Sequence, residues 1–319
     1  MDSILKKNDI PAIFIKGLNK SYNGIPALNG LNLEIENGEF FGLLGPNGAG
    51  KTTTINILSG LVLKDNGDTQ IFGQDTVTQY RETRKKIGIA AQELPQDWFF
   101  TIEKLLYFQA GYYGIIKKIA EPIIEKLLKR LGLYQKRNAR LRELSGGMKR
   151  RYQLAKALVH NPKIVILDEP TAGVDVEFRH DMWKLFQELH EEGKTILLTT
   201  HYIEEAEMLC KDVAIIDEGK IIARGKPEEL TKKSGQSGIT IQFTGWKESL
   251  KLNLKNFTFT IDENRLHFTV KDPEKSLPEI INILSQNGCH INNIKTEKIS
   301  LEDVFLSLTG RGISEKLSS

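Results

Sequence analysis

The chain has 319 residues, 40% apolar and 27% charged, an ordinary globular composition with room for one large or two medium domains. A formal charge of +3 does not mark a nucleic-acid binder, and two cysteines, Cys210 and Cys289, exclude a disulfide framework or a zinc knuckle and predict reduced thiols in a cytosolic protein. Nowhere do eighteen apolar residues run together, and the N-terminus lacks an apolar core with a small-residue cleavage site, so neither a membrane span nor a signal peptide is expected.

From Ala12 to about Pro227 short apolar strands alternate with helical segments, which predicts an α/β domain built on a largely parallel sheet. "AIFIKG", "LNLEIE" and "EFFGLLG" read as the first strands, and the helix "KTTTINILSG" follows, with Gly60 placed to end it. "DTQIFG" and "KIGIAA" are further strands. Residues about 101–160 change character: "TIEKLLYFQAGYYG", "EPIIEKLLKRLGL" and "MKRRYQLAKALVH" carry apolar residues at three-and-four spacing and form a helical insert. "KIVILDEP", "KTILLTTH" and "VAIIDEG" then return as buried strands.

The charged helix and Gly/Ser stretch of "KPEELTKKSGQSG" read as a linker, which divides the chain into residues 1–230 and 231–319. Beyond it, "GITIQFTG", "FTFTIDENRLHFTV", "LPEIINILSQNG" and "INNIKTEK" predict three strands, a helix and a strand. "ISLEDVFLSLTG" closes as a helix, with Ser300 as N-cap and Asp303 at the third position in a capping-box pattern. The second part is thus a small α+β domain.

The chemistry concentrates in three places. "GPNGAGKTT" (Gly45, Pro46, Asn47, Gly48, Ala49, Gly50, Lys51, Thr52, Thr53) satisfies G-x-x-x-x-G-K-[ST] between a strand and a helix. Its glycines let successive N–H groups face one anion, the helix N-terminus adds a positive dipole end, Lys51 would reach the β and γ phosphates, and Thr52 would ligate Mg²⁺. "IVILDEP" is a buried strand that delivers Asp168 to a metal and Glu169 to the water that attacks the γ-phosphate. The third place, "LSGGMKRR", is a puzzle. Ser145, Gly146 and Gly147 open a helix with exposed N–H groups, a second phosphate cradle in a chain that already has one. Such a cradle needs a second phosphate, or a phosphate held by another molecule. Lys136–Arg151 also holds seven cations against one carboxylate, Glu143. Aromatic residues to stack bases stand only at its margins, so a solvated helix face or the surround of a phosphate loop is preferred over a nucleic-acid patch.

Gly45–Thr52, Leu144–Gly147 and Ile164–Glu169, in that order, resemble the nucleotide-binding domain of an ATP-binding-cassette (ABC) transporter over residues 12 to about 230. The resemblance implies a P-loop NTPase core with a helical subdomain insert, followed here by the small α+β domain. It also answers the puzzle: in this family two domains dock head to tail, so Ser145, Gly146 and Gly147 would grip the γ-phosphate of ATP lying on a second copy's Lys51. By the same resemblance Tyr22 would stack on adenine, Gln92 would contact Mg²⁺ and the attacking water, Asp175 would stand in the interface loop, and His201 would reach the γ-phosphate and hold Glu169. Alone, each has a plainer reading, an exposed turn tyrosine for Tyr22 and a structural hydrogen-bonder for His201. "AGVD" departs from the family's usual Ser-Ala-Leu-Asp at Ala172 and Gly173.

Gln92 to Leu144 leaves no room for long coiled coils, and the chain has one such domain, not two. "LTTHYIEEAEML", "DEPTAGVD", "SGGMKRR" and "LEDVFLSLTG" are similar to the drug-resistance and polysaccharide-export group, whose ATPases pair with a separate six-helix permease. The expectation is an ATPase at the cytoplasmic face of the cell membrane, held there through its permease. It takes ATP and Mg²⁺, pairs with a second copy of itself, and binds no nucleic acid. Movement would pass through Gln92, Glu93 and "DWFFTIE", with Trp98 and Phe99 as anchors or as core of the insert. The alternative is a regulator with no membrane partner.

Overall fold

The computed structural model describes residues 10–92, 99–233, 237–245, 254–262, 264–270, 273–297 and 300–309. Contacts group the chain into two compact units, one running to Lys226 and one over Pro227–Gly312.

The first unit holds two sheets. Strands β1 (Ile13–Tyr22), β2 (Ile25–Ile35), β4 (Asn66–Ile71) and β5 (Gln74–Asp75) form an antiparallel sheet in the order β2-β1-β4-β5. Strands β3 (Phe40–Leu44), β6 (Ile87–Ala90), β7 (Ile164–Asp168), β8 (Thr195–Thr200), β9 (Asp212–Asp217) and β10 (Lys220–Gly225) form the other, in the order β10-β9-β3-β8-β7-β6. All its neighbours are parallel except β10, which returns antiparallel on β9. The largely parallel sheet expected from the sequence is this one, and β1, β2, β4 and β5 form a separate antiparallel sheet. The cause is local: Tyr22 pairs with Ile25 across Asn23-Gly24, whose φ values of 50° and 81° make the two-residue turn that folds a strand back on itself.

Every residue of β3, β7 and β8 is buried. Such unbroken burial belongs to parallel strands covered on both faces. Phe41, Leu43, Ile166, Leu197 and Ile216 of this sheet join Ile13, Ile15, Leu28 and Leu33 of the antiparallel sheet in one core.

Helices α1 (Lys51–Leu58) and α2 (Tyr80–Lys85) precede three longer ones, α3 (Ile102–Tyr112), α4 (Lys117–Arg130) and α5 (Gly146–Leu158). Ser59 and then Gly60, at φ 72°, close α1. Thr101 Oγ1 caps α3 by accepting from Lys104 N at 3.4 Å. In α4, Ala120, Ile124 and Leu128 recur every fourth residue and are the buried ones, as a helix with one apolar stripe requires. Helices α6 (Val176–Glu191) and α7 (Ile203–Leu209) connect the later strands.

In the second unit, β11 (Ser237–Thr244), β12 (Thr258–Asp262), β13 (Arg265–Val270) and β14 (His290–Glu297) form an antiparallel sheet in the order β12-β13-β11-β14. Helices α8 (Pro227–Lys233), α9 (Pro273–Gln286) and α10 (Leu301–Thr309) complete it. Ile239, Ile241, Phe243, Leu266 and Phe268 from one face of the sheet pack with Ile280 and Leu284 of α9. The capping box is present: Ser300 Oγ accepts from Asp303 N at 3.2 Å, and Asp303 Oδ2 accepts from Ser300 N at 2.9 Å.

Candidate active site

The strand order assembles the site. β3, β8, β7 and β6 lie side by side and parallel, so the residues that follow them share one end of the sheet. Lys51 follows β3, His201 follows β8, Asp168 and Glu169 end β7, and Gln92 follows β6. Ligands of open parallel sheets bind at these carboxyl ends.

Between β3 and α1 the loop residues Gly45–Gly50 wrap the start of the helix. Gly50 is irreplaceable there: its φ is 111°, and a Cβ would stand 2.8 Å from Ala27 O and 2.7 Å from the Leu28 side chain. Lys51 is 5% exposed and donates to Gly45 O at 2.6 Å and Pro46 O at 3.2 Å. Burial lowers its pKa, while the neighbouring Glu169 and Asp168 pull it back up. Thr52, in the first turn of α1, is exposed.

Three groups surround the Glu169 carboxylate. Gln92 Nε2 donates to Oε2 at 3.0 Å, Lys51 Nζ lies 3.5 Å from Oε1, and His201 Nδ1 lies 3.3 Å from Oε2. The last is a close contact off the line of a hydrogen bond, and His201 Nδ1 has no aligned acceptor among the described residues. His201 and then Lys51 lower the Glu169 pKa against the effect of burial, so Glu169 is held ionised and able to take a proton. Asp168 is different. Burial raises its pKa, and Thr199 Oγ1 donates to its Oδ1 at 2.6 Å.

Sequence reasoning missed two supports of this cluster. Thr199 holds Asp168, and its hydroxyl lies 3.3 Å from Glu169 N. Arg150 of α5 donates to Gln92 O at 2.7 Å and to Ala172 O at 3.3 Å, tying α5 to the segments on either side of Glu169. The clue was the cation run itself, whose last arginines turn inward: Arg151 pairs with Asp181 at 3.3 Å and covers the Phe178 ring.

The remaining predicted residues stand apart from this cluster. Ser145 and Gly146 are exposed at the start of α5, where Ser145 Oγ accepts from Met148 N at 3.3 Å as N-cap. Gly147 has a packing reason as well, since a Cβ there would meet the Phe178 ring at 2.7 Å. Asp175 caps α6 by accepting from Phe178 N at 2.8 Å. Tyr22 is 45% exposed beside the Asn23-Gly24 turn, with Lys20 Nζ 5.4 Å from its ring centre. Among the described residues no hydrogen bond or ion pair joins Ser145–Gly147 to Lys51 or Glu169. Phe99 is 80% exposed, while Glu93 and Trp98 lie outside the described residues.

A phosphate loop, a buried lysine and a paired Asp-Glu at the ends of adjacent parallel strands define an ATPase of the P-loop class. Residues 28–172 match the family model described as ABC transporter, and residues 225–309 match "ATP-binding protein DrrA1-3-like, C-terminal domain". Among curated relatives, "Nod factor export ATP-binding protein I" of Burkholderia lata is 36% identical over 96% of this chain and 99% of its own length. The protein of the same name from Rhizobium johnstonii is 38% identical over 94% of this chain and 95% of its own. Among solved structures, cbiO1 from Clostridium perfringens, titled as part of the ABC transporter complex cbiONQ, is 30% identical with a TM-score of 0.63, covering 70% of this chain and 91% of that one. "Structure of ATP binding subunit of ABC transporter" aligns with a TM-score of 0.64 at 26% identity, over 70% of this chain and 92% of that one. The chain belongs to the ABC transporter family, as an ATP-binding subunit that hydrolyses ATP to power transport.

Proposed function

We propose that the chain is the ATPase of an exporter whose bilayer passage is a separate permease, and that two copies close around ATP. The observation that carries this is the second cradle. Ser145 and Gly146 present an exposed helix N-terminus to an anion, while the chain's own phosphate loop is served by Lys51. A cradle with no bond to its own lysine among the described residues suits a triphosphate lying on another copy.

Glu169 takes a proton from the attacking water as it adds to the γ-phosphate. Gln92 and His201 aim the carboxylate, and Lys51 balances the charge that gathers on the phosphate oxygens. Thr52, Asp168 and Gln92 offer the hard oxygen donors that Mg²⁺ prefers, and such sites combine one or two protein ligands with substrate phosphates. Asp168 fits: Thr199 occupies Oδ1, leaving Oδ2 for a cation whose charge would keep the carboxylate ionised despite burial. The bound ion would neutralise phosphate charge. Tyr22 offers an exposed ring for adenine, and Asp175 stands at the head of α6 for the interface between copies.

No described helix is long and apolar enough to cross a membrane. Attachment at the cytoplasmic face runs through the permease. Phe99 and Phe100 at the start of the helical insert offer it apolar contacts. The ATPase role belongs to the first unit, and the second unit, which begins with α8, is an accessory domain. The relatives named for Nod factor export support export as the direction.

Glu169→Gln tests the arrangement. With ATP it should run as a dimer in size-exclusion chromatography while turnover falls roughly 10²–10⁴-fold, the usual contribution of a general base. Adding Ser145→Arg should return it to monomer with ATP still bound. A monomer that hydrolyses ATP at full rate overturns the proposal.

A further inference from the structure

Glu205 has no part in the chemistry described so far, yet its side chain is fully buried. It lies on α7, four residues beyond His201. Its Oε1 accepts from Thr171 Oγ1 at 2.9 Å and from Trp183 Nε1 of α6 at 3.0 Å. Its Oε2 is buried and has no hydrogen-bond partner among the described residues. The Thr200 hydroxyl, one residue before His201, lies beside the same carboxyl and accepts from Tyr202 N at 2.9 Å.

A leucine would fill this space without removing a carboxyl from water, so packing alone does not account for an acid here. Its partners do. Thr171 is two residues past Glu169, and Trp183 sits on the helix that follows the 170–175 segment. Glu169 and His201 touch each other only through the misaligned 3.3 Å contact. Backbone pairing already joins the two strands, with Glu169 N donating to Thr199 O at 3.0 Å, and Glu205 adds a second tie where the segment after Glu169 meets the helix after His201. Burial raises its pKa, and a glutamine matches the side chain in shape and keeps the Oε1 acceptor.

We propose that Glu205 is a positioning residue for hydrolysis: through Oε1 it clamps the segment that follows Glu169 to the helix that follows His201. This rests on Glu169 being the base. Small misplacements of reacting groups are expensive in rate, with 1 Å worth about a hundredfold. Ground-state ATP binding, made by the loop at Lys51, does not depend on the clamp.

The test measures kcat, KM and melting temperature for the parent, Glu205→Ala, Glu205→Gln, Thr171→Val and the Glu205→Ala/Thr171→Val double variant. Glu205→Ala should lose roughly ten- to a hundredfold in kcat with KM nearly unchanged. Glu205→Gln should keep kcat within about threefold of the parent, because Oε1 still accepts. Thr171→Val should lower kcat several-fold, and the double variant should be no slower than Glu205→Ala, as expected of two ends of one contact. If Glu205→Ala does not fold, Thr171→Val carries the test, since it removes a single hydroxyl. Parent-like kcat in a folded Glu205→Ala or in Thr171→Val overturns the clamp, and so does a Glu205→Gln as slow as Glu205→Ala. A parent indistinguishable from Glu169→Gln overturns the assignment of the base, and the clamp with it. A parent that needs Glu169 but ignores Glu205 and Thr171 overturns the clamp alone.

Discussion

Glu169 holds its backbone at φ 46°, a left-handed conformation that costs a non-glycine residue about 1–3 kcal/mol. The surroundings hold it there: its N–H bonds to Thr199 O at 3.0 Å, and Gln92, His201 and Lys51 converge on its carboxylate. Lys51 belongs to the same balance, since its ammonium now rests on loop carbonyls that a phosphate would replace. A charge-assisted hydrogen bond is worth about 1.5–3 kcal/mol, so Lys51→Ala should weaken ATP binding roughly ten- to a hundredfold in calorimetric titration. An unchanged Kd would show that the lysine does not meet the phosphates. Lys51, Asp168 and Glu169 were legible in the sequence because each sits in a short strand-and-loop motif whose neighbours are also its neighbours in space. Arg150 and Thr199 were not: Arg150 meets Gln92 58 positions away, and Thr199 meets Asp168 31 positions away. Only the strand order brings such pairs together.

At the scale of elements, His160 shows how α5, the end of α3 and β6 are fastened. Its ring stacks on Tyr113 with centroids 3.6 Å apart and planes 3° apart, and its Nε2–H donates to Ile87 O at 3.0 Å. Nδ1 is buried without a partner among the described residues, so a second proton would create an orphan donor. Burial is the main reason that the His160 pKa falls from 6.5 to about 4. Between those two values the unfolded chain takes up a proton that the folded chain refuses. The stability from neutral His160 is therefore complete above pH 6.5 and is lost as pH falls toward 4, by about 3 kcal/mol at most. His160→Gln can still donate to Ile87 O but cannot titrate. Its melting temperature should start lower at pH 7.5, where the stack is missing, and fall less than the parent's on going to pH 4.5. Parallel curves for the two proteins would assign the pH dependence to other groups. Elements with local punctuation were readable in advance, among them the box at Ser300 and Asp303 and the close of α1 at Gly60. The turn at Asn23-Gly24 is equally local, whereas β1 meets β4 far along the chain, as in Ile13 with Ile71, and no local residue marks that pairing.

At the scale of the whole molecule, the two units have separate cores. One joins both sheets of the first unit around residues such as Ile13, Phe41 and Ile166, and the other joins one sheet face to α9 around Phe243, Phe268 and Leu284. Strand patterning and the capping box made the second unit's elements readable, most plainly in β13, where Leu266, Phe268 and Val270 are buried while Arg265 and Thr269 are exposed. No motif in it points to a ligand, so its presence was readable and its chemistry was not. Separate cores predict separate unfolding. ATP stabilises what it binds by RT ln(1 + [L]/Kd), so in scanning calorimetry nucleotide should raise one transition and leave the other in place. Phe268 is 1% exposed, and replacing such a phenylalanine by alanine costs about 3–5 kcal/mol. Phe268→Ala should therefore lower the transition that ignores ATP, by roughly 10 °C or more for a unit of this size, and leave the ATP-responsive transition and the Kd for nucleotide unchanged. A single transition that moves with both ATP and Phe268→Ala would mean that the two cores melt as one cooperative body. Communication between nucleotide and the second unit would then be built into the folding of the chain, without requiring the permease.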